Sequence, residues 1–312
     1  MTRALGSPTV FVPLAERYRD RLPLSADAKI VSLGEGSTPL LPAPRLSERT
    51  GADVWLKWEG ANPTGSFKDR GMTVAVTQAL AEGAHSVVCA STGNTAASAA
   101  AYAARAGLEA VILQPEGAVA RGKLAQARAV GATVETRGNF EEALAEAREL
   151  EARGTHVLVN SLNPLRLEGQ KTAAFEIVEE LGGAPDVLAL PYGGGGNLCA
   201  YALGFREVGA LPRFVAAQAE NRAATAASAI RIAEPAHEAR VASALAESGG
   251  EAPSIPDEAI LEAWQIVSRE EGVFCEPSSA AGLAALLADP PRDATVVCVL
   301  TGHGLKDPDA VA

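Results

Sequence analysis

Short apolar runs alternate with longer alanine-rich segments along much of this chain, and this rhythm is the strongest constraint on its fold. Strands are predicted at residues 54–58, 86–90, 110–114, 133–136 and 156–159. The intervening helices include residues 95–106, 118–130 and 140–153. A regular alternation of strand and helix favours a mainly parallel sheet with helices on both faces. The sequence therefore predicts an α/β fold.

The same rhythm resumes after a long helix predicted at residues 165–181. Further strands are predicted at residues 187–191, 214–217 and 295–300. Two sets of strands predict two open, mainly parallel α/β lobes, joined by the long helix. We assign residues 46–170 to the N-terminal domain, and residues 1–45 with 171–312 to the C-terminal domain. Residues 1–30 are interpreted as an arm packed on the body, and residues 219–256 have no legible pattern.

Charge and cysteine content narrow the possible partners. The 312 residues carry a formal charge of −11, which argues against nucleic acid or an anionic membrane as the main partner. An anionic small substrate would therefore need a local basic pocket. The four cysteines are scattered without Cys-x-x-Cys or metal-like spacing, so we expect buried thiols in a reducing compartment and no metal site. With no signal peptide or membrane-spanning run recognised, we expect a cytoplasmic protein.

Lys68 occupies a chemically suggestive place in the stretch Gly-Ala-Asn-Pro-Thr-Gly-Ser-Phe-Lys-Asp-Arg-Gly at residues 60–71. Ser66 and Asp69 have the spacing of a helix-capping pair, and residues 71–81 are predicted to be helical. Lys68 then lies in the first turn, where the helix dipole disfavours a second positive charge. A lowered pKa would favour an amine able to form a Schiff base. Most lysines are solvated surface charges, so this stretch alone leaves both interpretations open.

A run of four glycines follows the strand predicted at residues 187–191. Gly193, Gly194, Gly195, Gly196 and then Asn197 open a predicted helix. Such a loop can fold closely around an anion, with its N–H groups pointing inward. Leu198 takes the place of the third glycine of a dinucleotide fingerprint, and no Walker lysine follows. A phosphate site for a smaller cofactor is favoured over a merely flexible loop.

Three other predicted strands also end in polar segments. They are Ser91-Thr92-Gly93-Asn94-Thr95, the run from Asn160 and Ser161 to Arg166, and the run from Thr301 to Lys306. Ligands of parallel sheets bind at the carboxyl ends of strands, where these hydroxyls, amides and basic groups are predicted to lie. Helix capping and surface ion pairing are the alternatives for each segment alone. Together with Lys68 and the glycine run, they indicate a phosphorylated carbonyl cofactor, and pyridoxal phosphate is the natural candidate.

In these segments the chain resembles the threonine synthase family, of the tryptophan-synthase-β-like class of pyridoxal phosphate enzymes. The resemblance runs in order from about residue 32 to 308, with signature blocks at residues 59–72, 90–106, 160–177 and 300–308. It implies a fold type II pyridoxal phosphate enzyme. It also implies conversion of O-phospho-L-homoserine and water to L-threonine and phosphate, and a homodimer.

The resemblance further implies a role for each matching residue. Lys68 would form the Schiff base and carry the proton, Asn94 would bind the cofactor's phenolic oxygen, and Thr301 would meet the ring nitrogen. The glycine run from Gly193 to Asn197 would hold the cofactor's phosphate. The carboxylate side of the substrate would be bound by Ser91, Thr92 and Thr95. Its phosphate would be bound by Lys57, Asn160, Ser161 and Arg166.

Two departures from the family pattern leave alternatives open. The glycine run replaces the Gly-Asn-Ala-Gly-Asn of many relatives, and residues 218–231 look shortened. A paralogue performing β-replacement or deamination, cysteate-synthase-like or threonine-dehydratase-like, is the second enzyme hypothesis. The presence of Lys57 and Arg166 argues against a dehydratase. A non-catalytic binding protein on the same scaffold is the third, and Lys68, Asn94 and Thr301 argue against it.

Overall fold

Two β-sheets organise residues 11–117 and 121–311, the part of the chain that this computed structural model describes. The strands are β1 (Leu40–Pro42), β2 (Asp53–Trp58), β3 (Ser86–Ala90), β4 (Glu109–Pro115), β5 (Thr133–Arg137), β6 (Val157–Leu158), β7 (Val187–Pro191), β8 (Arg213–Ala219), β9 (Ser254–Ile255) and β10 (Thr295–Leu300). The larger sheet has the order β1-β2-β10-β7-β8-β9 and the smaller one β5-β4-β3-β6. All neighbours pair in parallel except β1 and β2.

Helices cover both faces of both sheets. They are α1 (Leu14–Arg17), α2 (Pro44–Thr50), α3 (Lys68–Ala81), α4 (Asn94–Ala106), α5 (Arg121–Ala129), α6 (Phe140–Ala152), α7 (Pro164–Leu181), α8 (Gly196–Glu207), α9 (Glu238–Ser248), α10 (Asp257–Glu270) and α11 (Ala281–Ala288). In β3, Val87 and Cys89 join one hydrophobic core, while Val88 and Ala90 join another on the opposite face. Successive strand residues point to opposite faces, so a strand buried on both sides reads as a continuous apolar run.

The predicted two-lobed α/β architecture is confirmed. Each predicted strand is present, with ends within two residues of those expected. The helix predicted at residues 118–130 is described from Arg121, and residues 118–120 lie outside the described part. The illegible region 219–256 contains α9 and β9.

The predicted domain boundary at residue 46 is wrong for one strand. β2 was assigned to the N-terminal domain, but it lies in the larger sheet between β1 and β10. Its residues Val54 and Leu56 are buried with those of β10 in one core. A parallel partner near the other end of the chain leaves no local signal, so periodicity alone could not place this strand.

The N-terminal arm packs on the body, as expected, in the residues that are described. Leu14, Tyr18 and Leu22 are buried against Val74 of α3 and Phe175 of α7. Residues 1–10 of the predicted arm lie outside the described part of the chain. No helix among the described residues is long and apolar enough to cross a membrane.

Helices α3 and α7 cross in close contact through two glycines. A Cβ added at Gly169 of α7 would lie 2.0 Å from the backbone oxygen of Arg70, and one added at Gly71 would lie 2.4 Å from the oxygen of Arg166. Any side chain at either position would push the helices apart. This crossing therefore fixes the first turn of α3, which carries Lys68, against the first turn of α7.

A buried network of charges reinforces the same crossing. Arg70 donates to Glu59 at 2.7 Å and to Glu176 of α7 at 2.6 Å, and all three side chains are almost completely buried. Lys57 of β2 lies 3.0 Å from Glu176. Burial would raise the pKa of Glu176, but Arg70 and Lys57 lower it to about 2. The network thus keeps the Glu176 carboxylate ionised and joins β2, α3 and α7.

Replacing Glu176 with Ala should destabilise the protein by about 3–5 kcal/mol, because two buried cations would lose a shared carboxylate. The exposed pair Arg206–Glu247 provides the control, since Glu247→Ala removes only a solvent-exposed ion pair and should cost far less. Chemical denaturation monitored by circular dichroism measures both values. Equal losses in the two variants would contradict the importance of the buried network.

Candidate active site

The loops that follow the carboxyl ends of β2, β3, β6, β7 and β10 meet between the two sheets. The backbone N–H of Phe67, just before α3, donates to the oxygen of Thr301 at 3.1 Å. The side chain of Asn94, at the start of α4, donates to Glu276 at 3.0 Å. A ring nitrogen of His237 lies 3.2 Å from the oxygen of Ser161. These contacts bring together the segments that the sequence predicted to share one site.

Lys68 is the first residue of α3, in the first turn as predicted. Its side chain is partly exposed, and its Nζ lies 4.4 Å from the centre of the Phe67 ring. Burial, and then the charge of Arg166, lower the pKa of Lys68 from 10.5 to about 7. A substantial fraction of the amine is therefore neutral near neutral pH, which suits a nucleophile or a proton carrier.

The predicted capping pair at the start of α3 is wrong. The hydroxyl of Ser66 has no hydrogen-bond partner among the described residues, and the residue before α3 contributes no side-chain cap. Instead the carboxylate of Asp69 accepts from the N–H of Thr64 at 2.7 Å and from its hydroxyl at 2.6 Å. The acidic residue thus closes the preceding turn and holds the loop leading into Lys68.

The glycine run forms a tight turn into α8. Gly195 has a φ of +86°, which strains any residue with a side chain, and its added Cβ would lie 2.7 Å from Val241. Within the described chain, no backbone N–H from Gly193 to Asn197 donates to another residue. The Nδ2 atom of Asn197 is also buried without a partner. Unpaired donors at the N-terminus of a twelve-residue helix make a fitting cradle for a phosphate group.

Two residues that sequence reasoning missed hold this glycine loop in place. The backbone N–H of His237 donates to the oxygen of Gly194 at 3.2 Å. Arg222 donates to the oxygen of Gly193 at 3.4 Å and stacks on the ring of Tyr192 at 4.3 Å. Both lie in the region 219–256, where neither spacing nor turn residues offered a signal.

Asn94 and Thr301 each have one polar side-chain partner, Asn94 across the lobes and Thr301 within its own lobe. The Oδ1 atom of Asn94 is buried without a partner among the described residues, while its Nδ2 donates to Glu276. The hydroxyl of Thr301 lies 3.1 Å from that of Ser279. Both side chains are nearly buried, so their polar groups are in fixed positions.

Hydroxyl groups line the more open part of the site. Ser91, Thr92 and Thr95 surround the start of α4, and each is partly exposed. The hydroxyl of Ser91 accepts from the N–H of Gly93 at 3.1 Å. Ser161, at the carboxyl end of β6, is partly exposed as well. These groups are accessible to a small molecule.

The prediction that Lys57 binds the substrate's phosphate is wrong. Its ammonium group is completely buried and is bonded to the oxygen of Thr38 at 2.7 Å, to Glu176 and to Glu180. Three acceptors already satisfy the three N–H donors of a lysine. Lys57 therefore belongs to the ion network described above.

The side chains of Asn160 and Arg166 each bond to the protein backbone. The amide of Asn160 pairs with both the N–H and the oxygen of Ala90, each at 2.9 Å, and so ties the ends of β6 and β3 together. Arg166 is completely buried and donates to the oxygen of Val159 at 2.7 Å and to that of Lys68 at 3.4 Å. The charge of Arg166 acts on Lys68, and its buried Nε has no partner among the described residues.

Comparison with known proteins identifies the family. The model of the family described as "Pyridoxal-phosphate dependent enzyme" matches residues 31–302. A threonine synthase of Synechocystis is 52% identical over 319 residues, covering 95% of this chain and 84% of that protein. The chain belongs to the family of pyridoxal-phosphate-dependent enzymes. A threonine synthase of Mycobacterium leprae is also 52% identical, covering 94% of this chain and 88% of that protein.

Solved structures with the same fold support the family assignment. Maize serine racemase superposes with a TM-score of 0.76 at 22% identity, covering 86% of this chain and 88% of that one. A threonine deaminase of T.th. superposes with a TM-score of 0.71 at 28% identity, covering 85% of this chain and 92% of that one. The fold is thus that of fold type II pyridoxal phosphate enzymes, as the resemblance implied.

The cofactor of the family is pyridoxal phosphate, and the residues of this chain fit it. The glycine cradle offers unpaired donors for the phosphate, and Lys68 offers an amine with a lowered pKa. Asn94 Oδ1 and Asn197 Nδ2, at the starts of α4 and α8, are buried without a partner among the described residues. Among the described residues, no group of three or more His, Cys, Asp or Glu side chains could hold a metal ion. The four cysteines are buried and unpaired.

In the protein freed of cofactor, Lys68 should react with amine reagents at neutral pH. The neutral fraction of its amine rises as pH increases through about 7, because burial and Arg166 favour the uncharged form. Reductive methylation from pH 6 to 9, followed by peptide mass spectrometry, measures the reaction at each lysine. The exposed Lys29 is the internal reference, and modification of Lys68 no faster than Lys29 at pH 7 would contradict the lowered pKa.

Gly195→Ala should destabilise the cofactor-free protein by about 2–4 kcal/mol, from left-handed backbone strain and the clash with Val241. Gly194→Ala is the matched control, because its added Cβ would meet only Ile232, at 3.6 Å. Thermal unfolding of both variants gives the comparison. The assigned geometry of the loop fails if the two substitutions cost the same.

Proposed function

We propose that this chain is a pyridoxal-phosphate-dependent threonine synthase, which converts O-phospho-L-homoserine and water to L-threonine and phosphate. The observation that carries the proposal is the 46–52% identity to threonine synthases over about 95% of the chain. The likeness spans both lobes, and with them every strand-end loop of the site. The local cations Lys68 and Arg166 also suit an anionic substrate in a chain whose overall charge is −11.

Pyridoxal phosphate, when bound, supplies an aldehyde that condenses with amines and a ring that delocalises the charge left by a departing proton. On the side of the protein, the glycine cradle from Gly193 to Asn197 would hold the phosphate. Asn94 would bind the phenolic oxygen and Thr301 the ring nitrogen. A threonine hydroxyl is a weaker acid than a carboxylic acid, so this ring position would carry less positive charge than one paired with aspartate.

Lys68 is the proposed base of the reaction. Its amine, with a pKa of about 7, can release or accept a proton near neutral pH with a small change in free energy. The hydrogen bond from Arg166 to the oxygen of Lys68 and the α3–α7 crossing hold its backbone in place. Lys68 can therefore take the α proton of the substrate and return it without moving the helix.

The hydroxyl-lined part of the site is the proposed place of the substrate. Ser91, Thr92 and Thr95, at the N-terminus of α4, would bind the carboxylate of the amino acid. Ser161 would contact the substrate's phosphate, and the buried charge of Arg166 would contribute positive potential behind it. This assignment of substrate contacts differs from the direct binding of the phosphate by Lys57, Asn160 and Arg166 that the resemblance implied. It keeps the leaving phosphate near the β carbon, where water must add.

Turnover of O-phospho-L-homoserine tests the function directly. Wild type should release phosphate and L-threonine in equal amounts, and Lys68→Ala should lose about 10²–10⁴-fold or more in rate because the proton carrier is gone. Amino-acid analysis and a phosphate assay measure the two products. Lys171→Met, a substitution of a buried lysine paired with Glu207 away from the site, is the control.

The same assay separates the alternatives. Turnover of phosphoserine, or deamination of threonine, without threonine formation would favour the paralogue with β-replacement or deamination chemistry. Absence of bound cofactor would favour a non-catalytic binding protein. We further propose a cytoplasmic homodimer without nucleic-acid or membrane partners, on the basis of the family resemblance, the acidic charge and the buried free thiols. Light scattering of the purified protein measures the oligomeric state.

A further inference from the structure

A buried cluster of charged and polar groups lies beside Asn94 and has no role in the reaction described above. The carboxylate of Glu276 accepts hydrogen bonds from Nδ2 of Asn94, at 3.2 Å and 3.0 Å for its two oxygens. Lys123 of α5 lies 2.9 Å from the same carboxylate, and both charged side chains are 2% exposed or less. The cluster joins the lobe of the smaller sheet, through α4 and α5, to the lobe of the larger sheet.

The backbone of Glu276 is held as firmly as its side chain. Its N–H donates to the oxygen of Gly302 at 2.9 Å, and the neighbouring residue Cys275 pairs with His303. A Cβ added at Gly302 would lie 2.4 Å from Oε2 of Glu276. Gly302 directly follows Thr301 in the chain. Its lack of a side chain is therefore what allows the Glu276 carboxylate to reach Asn94.

The carboxylate determines which end of the Asn94 amide points toward it. An ionised carboxylate accepts hydrogen bonds and cannot donate them, so it selects the NH₂ group over the oxygen. Lys123 lies 2.9 Å from the carboxylate and gives it a cationic partner in a buried place, where a lone charge would be strongly disfavoured. The NH₂ group has a second hydrogen, which is still available to an acceptor inside the site.

We propose that Glu276, paired with Lys123, is a positioning residue that fixes the Asn94 amide so that its NH₂ group is presented to the phenolic oxygen of pyridoxal phosphate. This inference rests on the cofactor role of Asn94 in the proposed function. Without the carboxylate, the amide can rotate and present its oxygen to another oxygen, which repels it. Glu276 therefore acts on the cofactor through Asn94.

The contacts of Glu276 with Asn94 and Lys123 could instead serve only to hold the two lobes together, a role that we call a clasp. A clasp stabilises the closed arrangement whatever residue occupies position 94. A positioning residue loses its effect on the cofactor once the amide that it positions is removed. A double-mutant cycle between residues 276 and 94 distinguishes the two, since side chains that act as one unit give non-additive effects.

The experiment compares wild type with Glu276→Gln, Asn94→Ala and the double variant, each reconstituted with pyridoxal phosphate. The readouts are the dissociation constant of the cofactor and the visible absorption of the bound cofactor from pH 6 to 9. Glu276→Gln alone should weaken binding about five- to tenfold, the effect of one charge-assisted hydrogen bond, and should shift the visible band. In the Asn94→Ala background, the same substitution should change neither.

Glu35→Gln is the matched control, because it also turns a buried, hydrogen-bonded carboxylate into an amide, at a place where Tyr102 donates to it at 2.7 Å. It should leave the visible band unchanged. An equal effect of Glu276→Gln with and without Asn94 would overturn the proposal in favour of a clasp. These readouts do not depend on turnover, so a wild type that binds the cofactor but makes no threonine would refute the proposed function alone.

Discussion

The contact between Arg70 and two buried carboxylates is the interaction on which the rest of the site depends. Arg70 lies two residues after Lys68 and joins the first turn of α3 to Glu59 at the end of β2 and to Glu176 of α7. Burying the Arg70 cation without such partners would be strongly unfavourable. The network therefore favours the one position of α3 in which Arg70 meets both carboxylates. Because α7 also carries Arg166, the same network sets the distance from Arg166 to Lys68. The same buried network thus fixes the position of α3 and contributes to the lowered pKa of Lys68.

The cations in and around the site fall into two groups with different effects. Lys57, Arg70 and Lys123 each face a carboxylate within 3.0 Å, and they hold elements together. Lys68 and Arg166 form no salt bridge with the residues described, and the pKa of each is lowered, chiefly by burial. A chain with an acidic overall charge can therefore still bind an anion at this site, because nearby cations act on the anion more strongly than distant, screened carboxylates do.

Much of the fold and part of the site could be predicted from the sequence, because those signals are local. Strands buried on both faces read as apolar runs, and the helices between them keep an alanine-rich pattern. The glycine run indicated a phosphate cradle through backbone freedom that needs no distant partner. Lys68 was placed in the first turn of its helix by the turn residues before it. Its lowered pKa was also expected, although burial and Arg166, not the helix dipole, are the main causes.

The sequence by itself thus determined the α/β class, the glycine turn into α8 and the position of Lys68 at a helix start. Only the tertiary structure decided that Lys57 and Asn160 hold the scaffold, that β2 belongs to the larger sheet, and that Glu276 meets Asn94. The physical reason is the distance along the chain: Glu276 lies 182 residues from Asn94. Whether a charged side chain binds a ligand or another side chain depends on which partner folding brings within hydrogen-bonding distance, and no local pattern records that choice.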